Sequence, residues 1–510
     1  MAFTIFEKLL YFIMFPIVAV GSILSPLTND VRIFYGIEEL GIKYLSFPQN
    51  VYGGFWEIKP VGNHICEFLI ALFTNIFVPF SNHALQEPII KCVAVALVIF
   101  ASWLFSKNIL KVKYSFLLCF FGMFCALNLN ILQAEFLAII FAMISCALFV
   151  EKSNLWHYIA GALLIWVLLV KGTTGCLIVS AVCIVLIFNK HIDLIRGVIG
   201  FILMGLAFLA ADIFVWPQII PDILMAPILS HVGEYDWIGQ IGVTGIATVI
   251  SMSIYIPCIG IGIIYSGVWL KNHIRDPRAK WFVISFLAPL FVVFYQSESF
   301  AYQYYVFLLP AIVGIVLYEI DTPRERGITK KIKRENVVSA SILVLFAMWC
   351  ILYSPQPIWG LEQNYGVQEL KMNNYFNENA NAIEIKFNLS KENTLLYLDT
   401  GSAPYYFSTN SSCRYVAPLV IQRMNPNRTI VSTLPAYKEE YMCIMNYSNR
   451  YILADGPLGK ADGWFGLDSI EKKNIVKRVN DEYTEVFSGA WSLYERKNES
   501  EILNLTRSIQ

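Results

Sequence analysis

Charge is what this 510-residue chain has least of: 15% of its residues are Asp, Glu, Lys or Arg, and 38 basic side chains cancel 38 acidic ones. No global basic field therefore points to nucleic acid. Histidine is also sparse, and the six present are scattered with no metal-ligand spacing. Nine of the eleven cysteines, Cys66 through Cys350, fall in apolar sequence, where they read as small buried hydrophobes. Only Cys413 and Cys443 are in polar sequence, available to pair in an oxidising compartment. No small-residue cleavage signature follows the first apolar run, and Glu7 and Lys8 precede it, so a retained helix is expected instead of a removed signal peptide. No internal repeat is evident. What the chain has in excess is apolar surface, 56% hydrophobic residues and a mean hydropathy of +0.56. That composition predicts a polytopic membrane protein.

A spanning helix needs about 20 mostly apolar residues, because lipid offers its backbone no hydrogen bonds. Runs meeting this lie near 9–27, 88–106, 113–128, 131–150, 156–170, 172–188, 197–216, 244–269, 281–297, 303–319 and 337–353. A further run, 61–80, carries Asn63, His64, Glu67 and Asn75 and ends at Pro79, which is costly for a lipid-facing helix. Lysine and arginine concentrate in alternate loops: Lys107, Lys111 and Lys113; Lys152; Lys190 and Arg196; Lys271 to Lys280; Arg324 to Arg334. Cytoplasmic placement of those loops, and of Lys8, is consistent only if 61–80 does not span. The expected topology is eleven spans plus a membrane-adjacent helix, with the N-terminus cytoplasmic.

Composition changes after Tyr353. Strand-like runs at Thr394–Leu398, Tyr451–Ala454 and Trp491–Tyr494 alternate with helical stretches such as 469–480. The expected domains are a membrane unit, 1–353, whose first outer loop is 28–87, and a soluble extracytoplasmic α/β unit, 354–510. All six Asn-x-Ser/Thr sequons, at Asn388, Asn410, Asn427, Asn446, Asn498 and Asn504, fall in the second unit. An outside location allows this, and so does an Asn-rich tail by chance.

Asp30 stands just after the first span, and Glu57, Lys59 and Pro60 follow across one loop. An acid that takes a proton from an acceptor, with a lysine that holds an anionic lipid phosphate, suits chemistry at a membrane surface. Each residue also has a plainer reading. Asp30 is a good N-cap for a helix starting at Val31, and Lys59 a snorkelling cation. Glu57 either pairs with Lys59 or binds sugar. Glu135, after Asn128, Asn130 and Gln133, is a carboxylate at the start of an apolar run and so a functional candidate. Lys171 in VKGTTG lacks the glycine spacing of a phosphate loop; it is a boundary lysine or a second cation for lipid phosphate. Tyr304 lies in the turn before the tenth run, where interfacial aromatic belts also occur.

Asp30 with Arg32 and Phe34, Tyr52 and GFWEIKP, NLNILQAE, LLVKGTTG, AYQYYVFLLPA and the tail stretch TLLYLDTGSAPYYFSTNSSCRY appear in that order. Together they resemble the GT-C class of membrane glycosyltransferases, in the branch of the dolichyl-phosphate-mannose-dependent protein mannosyltransferases and the lipid A aminoarabinose transferases. The resemblance implies a seven-helix module followed by variable helices, and an inverting sugar transfer from a polyprenyl (dolichyl or undecaprenyl) phosphate to a hydroxyl of a glycan, lipid or protein on the outer face. It implies Asp30 as general base, with Glu135 the second acid. It assigns Lys59, Arg32 and Lys171 to the donor phosphate, and Glu57, Tyr304 and Tyr52 to sugar or acceptor. Some relatives place the arginine three residues after the acid; here it follows by two. One acid stands where related oligosaccharyltransferases carry an acid-x-acid pair, so a divalent metal is not expected. The loop 217–243 is a candidate lid. A transporter or flippase of a lipid-linked saccharide is the alternative class, but the matched halves expected of one are not evident.

Overall fold

The computed structural model describes residues 61–78, 83–110, 134–170, 193–215, 365–389, 394–398, 403–407, 409–413, 435–454 and 470–498, with isolated positions from 175 to 187 and at 456 and 458. The expected spans near 9–27, 113–128, 244–269, 281–297, 303–319 and 337–353 lie outside these residues, as does the candidate lid.

Among the described residues five helices lie in the apolar part: α1 (Val61–Phe77), α2 (His83–Phe105), α3 (Ala134–Phe149), α4 (Asn154–Val170) and α5 (Asp193–Val215). A π-helical turn, Ser106–Leu110, extends α2. The described positions between 175 and 187 are helical too. Among the described residues one stretch, Ile89–Ile109, is long and apolar enough to cross a membrane by the usual length test; Leu137–Phe149, Asn154–Val170 and Leu194–Ala210 are shorter apolar helices.

Three sets of contacts fix which helix ends coincide. A short turn joins α3 to α4, bringing Ala134 and Val170 to one end of an antiparallel hairpin. At the other end, Asn108 in the π-turn donates from Nδ2 to the Ala147 carbonyl at 3.1 Å and to Glu151 Oε1 at 2.8 Å. Thus α2 and α3 run in the same direction. Along α4 and α5, a β-carbon at Gly161 would sit 1.8 Å from the Gly197 carbonyl oxygen, and one at Gly200 would sit 2.0 Å from that of Tyr158. A β-carbon at Gly197 would lie 3.9 Å from the His157 carbonyl oxygen and one at Gly205 3.5 Å from Ile165, so these two helices advance together and are also parallel. Their backbones touch because small residues at the crossing admit close approach. Finally, a β-carbon at Gly62 would meet the Leu169 backbone at 2.6 Å, so the start of α1 rests on the end of α4.

Lipid-type patterning accompanies this packing. On α1, Gly62, Cys66, Ile70 and Thr74 face inward while Leu69, Leu72, Phe73, Ile76 and Phe77 are exposed. On α5 the exposed set is Ile195, Val198, Ile199, Ile202, Leu203, Leu206 and Leu209. An apolar outer face is what a bilayer selects and water does not.

The polar tail folds as α6 (Tyr365–Phe387), β1 (Thr394–Leu398), α7 (Ala403–Tyr406), β2 (Asn410–Ser411), α8 (Pro435–Asn446), β3 (Tyr451–Ala454), α9 (Ile470–Glu482), β4 (Tyr483–Ser488) and β5 (Ser492–Arg496). The sheet order is β2-β1-β3-β5-β4, with β1 parallel to both β2 and β3, and β5 antiparallel to β3 and β4. Its inner strands TLLYL and YILA are apolar runs without alternation, as strands covered on both faces require. Trp491 packs among Phe376, Tyr406 and Phe407, with ring centroids 5.2–5.5 Å away. Asn388 closes α6 at φ 50°, with the Leu389 amide donating to the Glu384 carbonyl at 2.8 Å, a left-handed cap that asparagine tolerates. Cys413 and Cys443 form a disulfide between the residues after β2 and α8.

Candidate functional site

Asp30, Arg32, Tyr52, Glu57, Lys59, Lys171 and Tyr304 lie outside the described residues. Glu135 is the second residue of α3, in the first helical turn. The described helices nonetheless define one end of the bundle: the start of α3, the end of α4 and the start of α1 meet there, and α2 begins on that side.

One described residue at that end was not singled out from the sequence. Lys91, in the third turn of α2, is 3% exposed and is the only charged side chain so buried among the described residues of the apolar helices. Its signal was a lysine inside the run 88–106, and a buried ammonium in a membrane bundle marks a functional position by default. The opposite end is built differently. Its Asn108–Glu151 clamp is joined by His157, whose Nε2 lies 2.8 Å from the Glu151 carbonyl oxygen, and by Ser145, which donates to the Ala160 carbonyl at 2.8 Å. Among the described residues no three His, Cys, Asp or Glu side chains are grouped to hold a metal.

In the tail, burial dominates the titrations. It pushes the Tyr447 hydroxyl well above the ordinary tyrosine range, with the neighbouring Tyr483 adding to the effect. Burial likewise raises Tyr451, Tyr483 and Tyr494. Arg478 is a structural cation: it ion-pairs with Glu482 at 3.1 Å and donates to the carbonyls of Ile444 and Tyr447 at the end of α8.

Apolar helices in this order are followed by a mixed sheet packed with helices. The chain is similar along 98% of its length to the crystal structure of ArnT from Cupriavidus metallidurans bound to undecaprenyl phosphate, covering 99% of that chain at a TM-score of 0.51 and 12% identity. At that identity the likeness is one of fold. No protein-family model and no curated protein matches the sequence.

Proposed function

We propose that this chain is a membrane glycosyltransferase of the GT-C type that moves a monosaccharide from a polyprenyl phosphate to an acceptor hydroxyl. The supporting observation is the whole-length fold likeness to ArnT, whose crystal structure holds undecaprenyl phosphate. Chain connectivity adds a second support. Lys59 is three residues before Gly62 and Lys171 two after Leu169, and Gly62 rests on Leu169. Glu135 and Lys91 belong to the same end of the bundle.

The same reasoning favours α1 lying across that end instead of through the membrane. Were α1 to run from Leu169 toward the Asn108 end, Phe77 and His83 would be separated by about 30 Å, on 1.5 Å of rise per residue. The six residue steps between them span at most about 23 Å.

In the proposed reaction Asp30 takes the acceptor's proton as its oxygen attacks the anomeric carbon from the face opposite the phosphate. The bond to the phosphate oxygen breaks, the anomeric configuration inverts, and Lys59, aided by Arg32 and Lys171, stabilises the charge gained by the leaving lipid phosphate. Glu57, Tyr52 and Tyr304 contact sugar or acceptor. We place the site and the tail on the extracytoplasmic side, where the Cys413–Cys443 disulfide is stable. Asp30→Asn is the test: donor binding retained with transfer reduced at least about 100-fold is expected. Unimpaired transfer would refute the base assignment, and lipid-linked sugar crossing the bilayer without any transfer would favour a flippase.

A further inference from the structure

The end of the bundle opposite the proposed site carries exposed cations on three elements. Lys107 is in the π-turn, Lys152 in the α3–α4 turn, and Arg196, partly exposed, in the first turn of α5. The folded chain gathers them. Asn108, next to Lys107, is bonded to Glu151, next to Lys152. Gly197, next to Arg196, lies so close to Phe149 that a β-carbon would meet its ring at 2.6 Å.

Two further features say what this surface meets. Glu151 turns one carboxylate oxygen into the clamp with Asn108, so one acid stands against three cations among these residues. The Lys107 ammonium sits 5.0 Å from the Trp103 ring centroid, and Trp103 and Trp156 are 46% and 41% exposed. Tryptophan beside lysine at the end of an apolar helix is the arrangement of a headgroup layer, where the ring spans the apolar boundary and the cation reaches phosphate.

We infer that Lys107, Lys152 and Arg196, framed by Trp103 and Trp156, form a binding surface for the phosphate headgroup of an anionic phospholipid in the leaflet at this end. The inference stands apart from the transfer reaction, whose site is proposed for the other end. Its test is native mass spectrometry of the full chain released from detergent and titrated with phosphatidylglycerol or phosphatidylcholine. Retained phosphatidylglycerol adducts are expected, with the apparent Kd raised about 30-fold by Lys107→Gln/Lys152→Gln, from about 1 kcal/mol for each lysine. Lys107→Arg/Lys152→Arg should bind as the native chain does. Should the double variant fail to fold, Lys152→Gln alone, at an exposed turn, is expected to weaken binding about fivefold. Unchanged affinity in the glutamine variants would overturn the inference, as would equal retention of phosphatidylcholine. So would competition by undecaprenyl phosphate together with loss of binding in Lys59→Met, which would assign the adduct to the opposite end.

Discussion

At the scale of single residues, Lys91 and the tail tyrosines carry separate consequences. A lysine 3% exposed in an apolar bundle is retained at a cost that hydrophobic side chains of similar volume do not incur. If it serves the donor phosphate, Lys91→Met should raise the KM for polyprenyl-phosphate sugar by about tenfold or more, while Lys91→Arg keeps most of the affinity. A methionine variant with native KM and only an altered Tm would assign Lys91 to packing. The tyrosines respond to pH. Burial holds Tyr447, Tyr451, Tyr483 and Tyr494 neutral beyond the point where an unfolded chain would ionise them. With folded pKa values above the unfolded ones, their stabilisation is complete below about pH 10 and is lost as pH rises beyond it. Tyrosinate absorbance and protease resistance of the tail, followed from pH 8 to 12, should therefore change together.

Among the elements, glycine contacts give the sharpest contrast. Gly161→Ala and Gly200→Ala each put a carbon within 2.0 Å of a backbone carbonyl, so α4 and α5 must separate. A loss of about 1–3 kcal/mol, read as a lower Tm by size-exclusion thermal stability, is expected for each. Gly205→Ala, whose added carbon would lie 3.5 Å from the flexible end of Ile165, should be nearly neutral. Those same helices were the most legible part of the chain, because their runs are long and apolar: 88–106, 131–150, 156–170 and 197–216 recur as α2 to α5 within a few residues, α2 starting five earlier. β1 and β3 matched their apolar runs, β5 begins and ends slightly later than expected, and α9 was visible as a helical stretch. The 23-residue α6 was not visible. Its sequence is rich in asparagine, a weak helix former, and it is held by tertiary packing through Phe376, Ala380 and Ile383. The candidate site rests on short motifs in order, because residues that would take a proton or bind phosphate leave no period in a sequence; all of them but Glu135 lie outside the described residues.

For the whole molecule, the question is which end faces which compartment. Ser153→Cys, in the α3–α4 turn, should resist a membrane-impermeant maleimide in intact cells, whereas Ser448→Cys, exposed in the tail, should react. The reverse pattern would overturn the orientation proposed for the site, the lysine surface and the tail together. The α4–α5 contact has another consequence for the chain as a whole. Every substitution of glycine adds a side-chain atom, so Gly161 and Gly200 lose stability with any neighbour in sequence space, while exposed positions such as Leu203 and Leu206 accept apolar replacements. A saturation library selected for stability would thus enrich glycine at both positions, a pair on separate helices that is co-located in the fold with no shared chemistry to explain it.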